Sequence, residues 1–70
     1  MSNIIEAFGY SVVEALRSLR ALLLVRHNIY ISQDEYEYYY AEYKDKKCYV
    51  QNQKVELGEY LLYRTFVRLE

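Results

Sequence analysis

Apolar residues recur at helical spacing through the first third of the chain. Ile4, Ile5, Phe8, Val12, Ala15, Leu16, Leu19, Leu22 and Leu23 fall within one arc about 120° wide at the α-helical advance of about 100° per residue. Asn3 followed by Glu6 is a variant of the capping box. The pattern predicts an amphipathic helix from Ile4 to near His27-Asn28. Tyr10, Val13 and Leu24 lie on its opposite face among Glu6, Arg17, Arg20 and Ala21. Gly9 falls inside this stretch, where it costs about 1 kcal/mol relative to alanine and permits close approach of another backbone.

The middle of the chain repeats tyrosine. Five of the ten tyrosines fall within Tyr36–Tyr43. Ser32 and Glu35 have capping-box spacing, with Ile31 and Tyr36 placed as a hydrophobic staple. A second helix is therefore expected from Gln33 to about Lys46. Tyr36, Tyr39, Tyr40 and Tyr43 would pack on the first helix. Asp34, Glu35, Glu37, Tyr38, Glu42 and Asp45 would face outward, with Glu42 and Lys46 forming a helical i,i+4 pair.

The last third changes period. With Asn52-Gln53 as a hairpin loop, Val50 faces Val55 and Cys48 faces Leu57. Gly58-Glu59 supplies a second loop with glycine first, as a type II′ turn requires. A third strand then runs from Tyr60 to Leu69. The expected fold class is α+β: two amphipathic helices followed by a three-stranded antiparallel β-meander. The alternative is an all-α chain with a C-terminal helix.

Seventy residues form a single small domain, residues 1–70. A chain of this size buries only about 60% of the surface its unfolded form exposes. Cys48 is the only cysteine, so no internal disulfide forms. With His27 it offers too few ligands for a closed zinc site. No metal and no cofactor are expected. The chain is 53% hydrophobic, enough to cover more than one face. Both faces of the third strand are apolar, which invites a second copy. Tyr10, Val13, Leu24, Tyr63 and Val67 are the candidate dimer contacts.

The formal charge is -1, so the molecule as a whole does not attract nucleic acid by its field. Its distribution is uneven. Arg17, Arg20, Arg26 and His27 form a basic segment without an acid, followed by the acidic tyrosine segment. The alternative function follows from this: a dimeric nucleic-acid-binding regulator using Arg17, Arg20, Arg64 and Arg68 on phosphates. The acidic second helix would be a poor recognition helix. The favoured expectation is a homodimeric protein-interaction module, acting as adaptor, regulator or inhibitor of a protein partner through Tyr38, Glu37, Glu42 and Asp45.

No nucleophile with an adjacent base and no glycine-rich phosphate loop is evident, so no enzyme is expected. The longest apolar run, Ala21 to Val25, is far short of a membrane span. No secretory signal pattern opens the chain. One cysteine fits a reducing, cytoplasmic setting. Small size, absence of proline and richness in tyrosine suit a viral or mobile-element accessory protein.

Overall fold

The computed structural model describes residues 3–70. It contains one helix and six strands in two antiparallel three-stranded sheets. In chain order these are β1 (Asn3–Gly9), α1 (Val12–His27), β2 (Ile31–Gln33), β3 (Tyr39–Tyr43), β4 (Lys46–Tyr49), β5 (Gln51–Leu57) and β6 (Tyr60–Leu69). Sheet A has the order β1-β6-β5, and sheet B the order β2-β3-β4. The two-helix-plus-meander expectation is overturned, as is the all-α alternative.

The first correction lies at the N-terminus. Residues 3–9 form a strand, and the helix begins at Val12. Ser11 is the N-cap, its hydroxyl accepting from the Glu14 N–H at 3.1 Å. The Glu14 carboxylate in turn accepts from the Tyr10 N–H at 2.9 Å. This Ser-x-x-Glu signal, rather than Asn3 with Glu6, starts the helix. Gly9 lies where strand and helix cross: an added Cβ would stand 2.6 Å from the Ala15 nitrogen. The close approach is therefore to the chain's own helix. At the other end Asn28 adopts a left-handed conformation (φ 55), and the N–H groups of Asn28 and Ile29 close the helix onto Leu24 and Leu23 carbonyls.

The second correction is the tyrosine segment, which is a hairpin and not a helix. Its strands alternate. Tyr39, Ala41 and Tyr43 face the core side, while Tyr40 and Glu42 face out. Tyrosine suits a half-buried pleated surface. Lys44-Asp45 forms the two-residue loop, both residues at positive φ (52 and 63), as the hairpin-favouring type I′ turn requires. Glu42 consequently stands opposite Lys47 across the strands, and the helical Glu42–Lys46 pairing does not arise. Tyr40 packs against Tyr49 on the outer face, ring centres 5.8 Å apart; it is not a core ring beneath the helix.

The third correction concerns residues 51–57, one uninterrupted strand with no loop at Asn52-Gln53. Val55 pairs with Leu62 and Leu57 with Tyr60. β4 and β5 run on with only Val50 between them, so one stretch of chain serves both sheets. The Val50 N–H donates to the Tyr39 carbonyl, which ties the bend to sheet B. The last strand spans Tyr60–Leu69, and Gly58 opens its hairpin loop at φ 63.

The core lies between α1, sheet A and sheet B. Ala15, Leu19 and Leu23 point inward from the helix at four-residue spacing. Leu19 and Leu23 join Val67 and Leu69 from β6, Ala41 from β3 and Cys48 from β4 in one cluster. Thr65 is the buried polar residue, its hydroxyl donating to the Asn52 side-chain oxygen at 3.0 Å. Each fully buried leucine contributes about 1.5–3 kcal/mol relative to exposure. Among the described residues, no helix is long and apolar enough to cross a membrane.

Candidate functional site

The register of sheet A separates two faces. Ile5, Ala7, Thr65, Val67 and Leu69 lie beneath the helix. Ile4, Glu6 and Phe8 of β1 share the other face with Leu62, Arg64 and Phe66 of β6 and with Val55 and Leu57 of β5. Among the described residues no other element covers that face, and Ile4, Phe8, Leu57 and Tyr60 are exposed on it. Its charges are already matched. Arg64 pairs with Glu6, donates to the Gln53 side-chain oxygen at 3.2 Å and stacks 4.0 Å from the Phe66 ring centre. Glu6, Arg64 and Gln53 thus form a polar belt crossing all three strands of a largely apolar surface.

A second feature is the turn from Asp34 to Tyr38 at one end of sheet B. Asp34 organises it. One carboxylate oxygen accepts the N–H groups of Tyr36 and Tyr38, each at 2.9 Å. The other accepts the Tyr49 hydroxyl at 3.0 Å. Partial burial pushes the Asp34 carboxyl up. The Tyr38, Tyr49 and Tyr36 hydrogen bonds and nearby Lys47 outweigh it, leaving the group below the usual aspartate range. The same bond to Asp34 is the main reason that the Tyr49 hydroxyl is held above its ordinary value. Glu37 is forced to φ 68. The side chains of Tyr36 and Tyr38 project into solvent, 73% and 66% exposed.

A groove of about 120 Å³ separates this turn from the start of the helix. Val12, Leu16 and Val50 are its apolar lining, and Glu37, Tyr38 and Tyr39 border them. Beside it, the Arg20 guanidinium lies 5.9 Å from the Tyr39 ring centre.

The residues singled out from the sequence are dispersed. Tyr38, Glu37, Glu42 and Asp45 are all exposed, but Glu37 and Tyr38 sit at one end of sheet B and Asp45 in the loop at the other. Tyr10, Val13 and Leu24 are exposed on and before the helix. Val67, by contrast, is fully buried under the helix, and Tyr63 is half-buried on the same side of sheet A. Neither contributes to the open face. Arg17 and Arg20 are on the helix, whereas Arg64 and Arg68 are on the opposite face of sheet A. Arg64 is committed to Glu6, and Arg68 lies 3.8 Å from Glu70. The four arginines do not form one basic stripe. Cys48 is a small buried strand residue, and His27 is exposed in the last helical turn. No group of three or more His, Cys, Asp or Glu side chains among the described residues is placed to hold a metal ion.

Ile4, Phe8 and Leu57 are surface candidates that the sequence reading misses. The signal was present in Ile4-Ile5-Glu6-Ala7-Phe8-Gly9, where a strand apolar on both faces imitates a helical arc. Comparison with protein-family models, curated proteins and solved structures finds no match to this chain.

Proposed function

We propose that the protein is a homodimeric protein-contact module, acting as an adaptor, regulator or inhibitor of a protein partner. The observation that supports this reading is the open face of sheet A. Apolar patches of this kind, rimmed by polar residues, mark contact sites. A second copy laid face to face would give a sandwich of two sheets, a standard way to cover apolar strands. The Glu6–Arg64–Gln53 belt suits burial because its charges are paired within each subunit, so covering it strands no lone ion. The dimer would leave the acidic, tyrosine-bearing end of sheet B free for a partner.

Light scattering at micromolar concentration tests the reading. The expected mass is about twice the 8.5 kDa chain, falling to one chain when Phe8→Asp and Leu57→Asp are combined. Both residues are exposed in the isolated chain, so the fold survives. A stable wild-type monomer at low micromolar concentration would overturn the dimer. Salt-sensitive retention of nucleic acid, abolished by replacing Arg17 and Arg20 with alanine, would put a nucleic-acid regulator in its place.

A further inference from the structure

The groove between helix and turn has a composition that selects its occupant. Its apolar side is Val12, Leu16 and Val50, its walls are Tyr38 and Tyr39, Asn52 is its neutral polar residue and Glu37 its charged group. Among the described residues no lysine, arginine or histidine lines it. The Glu37 carboxylate has no ion-pair partner and accepts no hydrogen bond from a side chain among the described residues. Asp34 and Glu35 add negative charge alongside. Arg20, against Tyr39, and Lys47, beside Asp34, are the nearby opposing charges, two cations against three acids.

We propose that this groove takes a single basic side chain, lysine or arginine, from a partner polypeptide. The inference rests on the protein-contact reading above and names the partner's chemistry. The methylene stem of such a side chain covers apolar surface while its head remains polar. Here the stem would lie against Val12, Leu16 and Val50. The head would reach the Glu37 carboxylate and a tyrosine ring face, which attracts a cation through its quadrupole. The tyrosines of this region already accept cations: the Lys47 ammonium lies 5.0 Å from the Tyr40 ring centre, and Arg20 lies against Tyr39. The three hydrogen bonds to Asp34 fix the turn before anything binds, which reduces the ordering cost of association. A nucleic-acid phosphate would meet Glu37 as a like charge.

The test is amide chemical-shift mapping of the full chain. The probe is a short end-blocked peptide with one arginine among neutral residues, compared with the same peptide carrying citrulline. Saturable shifts are expected at the amides of Val12, Leu16, Tyr38, Tyr39 and Val50. Citrulline in the peptide, or Glu37→Gln in the protein, should each weaken binding about tenfold, the loss of one charge-assisted contact. Val12→Phe, which fills the groove and keeps the acid, should abolish the shifts. Equal binding of the citrulline peptide would overturn the proposal. So would shifts that survive Val12→Phe and spread over the acidic surface. Groove amides that move when the protein alone is diluted would overturn it in favour of an arginine from a second copy. Light scattering on the same samples separates the two readings. A dimer indifferent to the arginine peptide sinks the groove alone, and a monomer that binds it sinks the dimer alone.

Discussion

Sheet A supplies the core with Thr65, Val67 and Leu69, side chains large enough for burial to fix their register. Sheet B supplies only Ala41 and Cys48 as buried strand residues. Its larger inward groups, Tyr39 and Tyr43, are half-buried. A one-residue slip in sheet A would carry Val67 and Leu69 out from beneath the helix and put Arg64 and Arg68 there, so burial specifies the pairing. The same slip in sheet B would expose little apolar area. Its register depends instead on the turns at its two ends, the Asp34 hydrogen bonds and the positive-φ pair Lys44-Asp45. Burial orders one sheet, and local polar geometry orders the other.

Substitutions should divide along this line. Leu19→Ala empties a fully buried site against sheet A and should cost about 3 kcal/mol or more, read from denaturant melts. Ala41→Leu overfills the place where β3 meets the core. It should cost about 1–3 kcal/mol and speed amide exchange in β3 and β4 before it does so in β6. Equal loss of protection in both sheets would mean that they open as one unit.

Asp34→Ala should lower the melting temperature less than either core change and raise amide exchange at Tyr36 and Tyr38. Its effect is also pH-dependent. The carboxyl is depressed in the folded protein. Its contribution is therefore complete above the ordinary aspartate value of about 3.9 and is lost as pH falls through the lower folded value. Wild type and Asp34→Asn should converge in stability over that acid range and differ at neutral pH. A constant difference at every pH would mean that the charge is irrelevant to the turn. Asp45→Gly relieves a positive φ and should stabilise by about a few tenths of a kcal/mol. Tyr38→Ala should change stability by less than about 0.5 kcal/mol.

The same division explains what the sequence reveals. Ala15, Leu19 and Leu23 are visible by spacing, as are the close of the helix near Asn28 and the strand Tyr60–Leu69 with its glycine-led loop. Burial imposes periodicity on the helix, and the glycine-led turn marks the start of the last strand. β1 is hidden because Ile4 and Phe8 face away from the core yet are apolar, so no polar alternation marks it. The Asp34 turn is hidden because Ser32 and Glu35 have the spacing of a capping box while a different carboxylate takes the backbone amides. β5 looks like a turn because Gln51, Asn52 and Gln53 lie on an outer strand and need no apolar face. The apolar second face of Tyr60–Leu69 is legible, but the share of the open face that β1 contributes escapes a reading in which residues 4–9 are helical.

β6 is the central strand of sheet A and the last of the described strands in chain order. As the chain leaves the ribosome, α1 and the sheet B hairpin can form from neighbouring residues. β1 and β5 have no partner in sheet A until β6 emerges. Pairings of such long sequence separation form late, because the closure entropy must be overcome before any contact rewards it. Ile5 and the β1 backbone therefore lack their sheet partner until Tyr60–Leu69 has been made. Slowing translation near Tyr60 should lengthen that interval and raise the yield of aggregated chains.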